Sequence, residues 1–122
     1  MTNNSAVSHY KVVFPSDLNN NDTLFGGLAM QWMDQIAYIA AIRFARKKMV
    51  TVSVGSIKFS EPVKPGVIIE IKAKVVTVKA ARLNVLVEIF QETIASDTSK
   101  KSVEALFTFA AVDESGKPVR IC

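Results

Sequence analysis

The stretch Phe25-Gly-Gly-Leu-Ala-Met-Gln-Trp-Met-Asp-Gln-Ile-Ala-Tyr-Ile-Ala-Ala-Ile-Arg-Phe-Ala-Arg-Lys-Lys48 is the one long helical pattern in this chain of 122 residues, and the segments around it read as strands. From Leu28 to Ala45 apolar residues occupy nearly every face, interrupted only by Gln31, Asp34, Gln35 and Arg43. A surface helix with a single apolar stripe is therefore excluded, and burial on most sides is expected. Asp34 is the exception: an ionised carboxylate without a partner among Met30, Trp32, Met33, Ile36 and Ala37 is costly in a dry interior. Either it is paired or it does chemistry.

The helix opens on Gly26 and Gly27, where a better helix former would gain roughly 1 kcal/mol each in a helix interior. Two readings are open. In one, the glycines let another molecule approach first-turn amides, which can hold a phosphate or polarise a carbonyl oxygen. In the other, they only allow tight packing against a strand, and Asp34 bonds a neighbouring loop. Gly27 and Asp34 are two turns apart and lie on nearly the same helical face.

Length suits one domain spanning 1–122, with residues 1–7 loosely held. Hydrophobic residues make up 49%, high for a small monomer that must also cover its surface, so an oligomer is expected. Cys122 stands alone, which removes any intrachain disulfide and suggests a reducing compartment. No leader-like segment or membrane-length apolar run is evident, and a cytoplasmic protein with no membrane insertion is expected. The net charge of +4 permits an anionic partner. Its lysines and arginines are scattered, without a basic tail, zinc-ligand spacing or RNA-binding aromatic motif, so a phosphate-bearing small molecule fits better than nucleic acid. With one histidine, His9, placed in a strand, a His-based metal site is improbable and any catalyst is carboxylate-based.

Ser8 to Phe14 reads as a first strand. Ser16 to Thr23 is a dense cluster of loop formers whose side chains bond nearby backbone, with Asp22 or Thr23 as candidate caps. After the helix the period changes, giving strands at Met49–Phe59 (with Gly55 as a candidate bulge), Val67–Val78, Leu83–Glu92 and Ser102–Val112. Turns are read at Glu61–Gly66 and Glu114–Pro118. The expected class is α+β: one long buried helix wrapped by a five-stranded, mainly antiparallel sheet, whose open edge suits a second copy.

Pro15-Ser-Asp-Leu-Asn-Asn-Asn-Asp-Thr-Leu-Phe-Gly-Gly27, followed by Met30 and Met33-Asp34, resembles the opening motif of the hotdog-fold acyl-CoA thioesterases of the YciA and cytosolic brain acyl-CoA hydrolase type. Val50-Thr-Val, Phe59 with Pro62-Val63 and Pro65-Gly66, and Phe107-Thr-Phe-Ala-Ala-Val-Asp113 with Gly116-Lys-Pro118 follow in the same order. The resemblance implies hydrolysis of acyl-CoA to a carboxylic acid and coenzyme A without metal or other cofactor. It also implies dimers with one continuous sheet, assembled as trimers of dimers into a hexamer. The family's catalytic carboxylate falls on Asp34 and its loop asparagine on Asn19, facing each other across a subunit interface. The amides at Gly26 and Gly27 would receive the thioester carbonyl, and Phe25, Gly26, Ser56 and Phe59 would line the substrate.

The chain departs from the family at Gly66-Val67, where Gly-Asp is usual, and at Ala80-Ala81-Arg82, where Thr-Ser is common. Lys58 and Arg82 are candidates to replace the missing nucleotide-phosphate contacts, against the plainer reading as solvated strand residues. Two alternatives to a thioesterase stand beside it. A non-catalytic acyl-CoA sensor would bind without turnover, and a hotdog hydratase or dehydratase would want a histidine near the helix, for which His9 is badly placed.

Overall fold

The computed structural model describes residues 6–20, 23–24, 26–93, 95 and 97–121; Asp22, Phe25, Cys122 and residues 1–5 lie outside the described residues. Strands β1 (Val7–Val12), β2 (Met49–Val54), β3 (Lys58–Phe59), β4 (Ile68–Lys79), β5 (Arg82–Glu92) and β6 (Lys100–Ala111) form one antiparallel sheet, and helix α1 (Gly26–Ala45) crosses one face of it. The sheet order is β1-β4-β5-β6-β2, with β3 also paired to β6.

Strict alternation explains the layers. Ile69, Ile71 and Ala73 of β4, Leu83, Val85, Val87 and Ile89 of β5, and Val103, Ala105, Phe107, Phe109 and Ala111 of β6 are buried. They point to one face because side chains along a strand repeat every two residues. The helix sets Ala29, Met33, Ile36, Ala37, Ala40 and Ala41 against that face. The four alanines keep its backbone close to the sheet, and the phenylalanines of β6 fill the space they leave.

Several elements differ from the sequence reading, each for a local reason. The helix stops at Ala45, short of Lys48, because Arg46 turns to φ 54 while its N–H reaches the Ile42 carbonyl at 2.7 Å, a left-handed cap. Val7 is paired with Ala73 and so belongs to β1, which ends at Val12 before Phe14. The expected single strand from Met49 to Phe59 is two: the register slips between Thr51 and Ser53, and pairing lapses over 55–57 before resuming at β3. That division makes the strand count six, where five were expected. Gly55 sits where a Cβ would lie 3.4 Å from the Leu106 carbonyl oxygen, and its N–H donates to that oxygen at 2.8 Å.

Burial on most sides of α1 is also corrected. In the single chain one face of the helix meets the sheet, and three large apolar side chains stay exposed by about two fifths: Met30 (40%), Tyr38 (44%) and Ile39 (41%). Nothing among the described residues covers them. The β2 edge carries Val50, Val52 and Val54 exposed in the same way.

The β4–β5 hairpin turns through Ala80 and Ala81, and Ala80 holds φ 54, a conformation that crowds a Cβ. Ala80→Gly should therefore stabilise the chain by about 0.5–1 kcal/mol, part of the relief being offset by the entropy of glycine. Thermal unfolding should show a rise of a few degrees; an unchanged or lower midpoint would mean that the turn is relaxed with alanine in place.

Candidate active site

Three segments meet at the start of α1. The first is the loop after β1. Pro15–Asp17 forms one 3-10 turn, fixed by Phe14 N–H donating to the Asp17 carboxylate at 2.9 Å. A short bridge pairs Leu18 with Leu24. Asn19 closes the loop: its N–H donates to the Thr23 carbonyl at 2.8 Å, and its side-chain oxygen accepts from the Thr23 N–H and hydroxyl, both at 3.2 Å. The second segment follows β3. Val63 there is buried, and its carbonyl accepts the Leu24 N–H at 2.8 Å, fastening the loop to the sheet.

The third segment is β2, which runs back along the helix. Its Thr51 hydroxyl donates to Asp34 Oδ1 at 3.2 Å, so the half-buried carboxylate has a partner. Thr51 is the last residue before the slip in the β2–β6 register, and such irregularities re-aim the side chains beside them. Gly27, Met30, Gln31, Asp34, Thr51, Val54 and Phe107 together line a shallow hollow of about 240 Å³.

Asn19 belongs to a different hollow, of about 390 Å³, shared with Thr23, Leu24, Gly26, Phe59, Pro62, Val63 and Val103. The structure thus groups Asn19 with Gly26 and Phe59, and Asp34 with Gly27 and Thr51. A Cβ at Gly26 would lie 3.6 Å from Phe59 Cζ, an ordinary van der Waals distance. Packing against Phe59 therefore does not require glycine there.

The remaining expected positions are dispersed. Ser56 is exposed in the segment between β2 and β3. Lys58 stands opposite Glu104, whose carboxyl is held below the usual range chiefly by the hydrogen bond from Lys101, with a smaller contribution from Lys58. Arg82 lies at the β4–β5 turn, in a hollow with Thr77, Lys79, Asn84 and Thr108. There Asn84 donates to Thr77 and accepts from the Thr108 hydroxyl, both at 2.7 Å. Phe25 is outside the described residues, and His9 is exposed on β1. Among the described residues no three His, Cys, Asp or Glu side chains converge to hold a metal, and no helix is long and apolar enough to cross a membrane. The residue that sequence reasoning missed is Thr51, which stood only as the middle of the Val50-Thr-Val match.

Comparison with known proteins agrees with this architecture. Residues 21–97 match the model of the thioesterase superfamily, and the chain belongs to that superfamily, with the hotdog fold. Within it the similarity is to acyl-CoA hydrolases. The chain is 35% identical over 109 residues to the Bacillus subtilis acyl-CoA thioester hydrolase YkhA, matching 89% of this chain but spanning only 63% of that protein. It is 34% identical over 110 residues to Escherichia coli YciA, covering 88% of this chain and 83% of that one.

Among solved structures, an acyl-CoA hydrolase from Staphylococcus aureus with butyryl-coenzyme A and coenzyme A bound is 34% identical, with a TM-score of 0.88 over 95% of this chain and 68% of its own. A hexameric thioesterase from Yersinia pestis is 29% identical, with a TM-score of 0.83 over 92% of this chain and 91% of its own. The Staphylococcus aureus enzyme was also solved with an asparagine, an aspartate or a threonine replaced by alanine. The aspartate follows the asparagine by 15 positions and the threonine follows the aspartate by 17, the same intervals that separate Asn19, Asp34 and Thr51.

Because Asp34 is half-buried and the bond that joins it to Thr51 is a single one, neither Asp34→Asn nor Thr51→Val should cost more than about 1 kcal/mol of stability. Urea unfolding of both variants checks this. A loss several times larger would make the pair a structural keystone and any effect on activity ambiguous.

Proposed function

We propose that this protein is an acyl-CoA thioesterase in which Asp34 is the catalytic carboxylate and Thr51 holds it. The observation that carries the reading is the Thr51–Asp34 contact beneath the mouth of α1, in a shared hollow with Gly27. The matching intervals in the Staphylococcus aureus acyl-CoA hydrolase support it.

A thioester already has a good leaving group; it needs a polarised carbonyl and an activated water. First-turn amides at Gly26 and Gly27 supply the first, since helix N-terminal N–H groups lack intrahelical acceptors. Asp34 supplies the second, either by taking a proton from water or by attacking the carbonyl carbon to form an anhydride that water then opens. In both routes the C–S bond breaks, water provides the carboxyl oxygen, and the thiolate leaves as coenzyme A after protonation. No step calls for a metal or redox cofactor. Lys58 and Arg82 are the candidate phosphate contacts, of which Arg82, beside Lys79 at an open hollow, is better placed than Lys58 opposite Glu104.

Thiol release from a panel of acyl-CoAs, followed with a thiol reagent, tests the reading. The wild type should turn over, and Asp34→Asn should lose about a hundredfold or more. Binding of acyl-CoA with no thiol release would replace the hydrolase with a sensor.

The active site in this reading is shared by two copies. Asn19 and Asp34 line separate hollows of one chain, and the apolar faces left open on α1 and on the β2 edge are where a second copy would complete the sheet. The Yersinia pestis relative is hexameric, which is consistent with a trimer of such dimers. Asn19→Ala and Asp34→Ala should each be nearly inactive, yet refolding them together should restore activity. Random mixing makes about half the dimers mixed, each with one intact site, so recovery should approach a quarter of wild type. Mixed oligomers, verified by mass spectrometry, with no gain over either parent would place both groups within one chain.

A further inference from the structure

Ser102 is the one polar residue fully buried among the described residues, and it sits at an irregularity. In the β5–β6 ladder Val103 pairs with Ile89 and Lys101 with Phe90, so Ser102 is an extra residue on β6, a β-bulge. The bulge turns two consecutive residues, Ser102 and Val103, into the interior and leaves Lys101 exposed, where it reaches Glu88 at 3.2 Å and Glu104 at 2.6 Å. On the β3 side of β6 the same residue continues the β3–β6 register, and its backbone carbonyl accepts the N–H groups of Ser60 at 2.8 Å and Glu61 at 3.4 Å.

Gln91 finishes the connection. Its side-chain amide donates to the Ser102 hydroxyl at 2.6 Å and to the Pro62 carbonyl at 3.1 Å, while the Ser102 hydroxyl donates to the Lys100 carbonyl at 3.2 Å. Residues 60, 61 and 62 are thereby each tied to one bulge. The next residue, Val63, accepts the Leu24 N–H, and Phe59 stands beside Gly26. Phe59, Pro62 and Val63 are one wall of the hollow that holds Asn19 and Gly26. Proline contributes no N–H of its own to the sheet, so the placement of this wall relies on acceptors and on what donates to them.

We infer that Gln91 is a positioning residue for the substrate, joining the Ser102 bulge to the Pro62 carbonyl so that the Phe59–Val63 wall stands at a fixed distance from the helix mouth. The inference rests on the acyl-CoA reading of the site. It assigns the wall to substrate binding and leaves the chemistry to Asp34 and Thr51, whereas the Gln91 amide bonds Pro62 and Ser102.

Gln91→Met keeps the length and apolar stem of the side chain and removes both donors. It should raise KM for acyl-CoA roughly threefold to tenfold, the effect of about one net hydrogen bond, while kcat stays within about twofold of wild type. Affinity for coenzyme A, measured by calorimetry, should weaken in parallel. Ser102→Ala, which keeps the backbone carbonyl that Ser60 and Glu61 use, should shift KM in the same direction and carries the test if Gln91→Met does not fold.

A lower melting temperature with wild-type KM and coenzyme A affinity would overturn the inference and leave Gln91 a structural clamp. So would a fall in kcat at unchanged KM. These failures are distinct from failure of the parent reading. A wild type that binds coenzyme A without releasing thiol removes the hydrolase but still tests the wall by affinity, whereas a wild type that neither binds nor hydrolyses removes both.

Discussion

The burial of one narrow helical face on one curved sheet face is the constraint on which the rest depends. Ala29, Ala37, Ala40 and Ala41 let the backbone of α1 come close to β4, β5 and β6, and only a helix seated there can present its first turn at the sheet margin. Larger side chains at those alanines would lift the helix and separate Asp34 from Thr51, because that contact joins the helix to a strand. Packing in the core and chemistry at the margin are in this sense one geometry.

The site itself assembles from parts that solve local problems first. Asn19 bonds the backbone and hydroxyl of Thr23, an ordinary way for an asparagine to close a loop. Arg46 ends the helix and frees the chain to return as β2. The register slip after Thr51 turns that hydroxyl toward the carboxylate. Each device needs only near neighbours, yet together they set two hollows at the start of α1, one holding Asn19 and Gly26 and the other Gly27, Asp34 and Thr51.

Much of this was legible in the sequence because two different periods mark it. The apolar fill of α1 and the alternation of β4, β5 and β6 locate the elements, and Asp34 stands out as a carboxylate in an apolar run. The pair of glycines points to the helix mouth in the same way. Irregularities were only partly legible. Gly55 marks where regular pairing lapses before β3, but the register slip itself lies earlier, between Thr51 and Ser53, where periodicity runs smoothly and nothing marks it, since it depends on how β6 runs beside it. Thr51 was within reach of a length argument: from Asp34 to Ala45 is eleven helical steps, about 16 Å, and from Ala45 to Thr51 is six extended ones, about 20 Å, so a returning strand brings Thr51 near Asp34. The exposed face of α1 escaped for the opposite reason, as an apolar pattern records that a face is covered but not whether the same chain covers it.

The bulge at Ser102 bears on how this protein could change by insertion and deletion. Its neighbours already hold regular partners, Lys101 with Phe90 and Val103 with Ile89, so the ladder on both sides is in register without it. Loss of that single residue would heal the sheet rather than shift it, whereas loss of a neighbouring strand residue would move a whole segment to the other face. The register of the sheet and the placement of the Phe59–Val63 wall are therefore separable at one codon, and descent with or without that codon could reshape the helix mouth while the strand pairs on either side kept their partners.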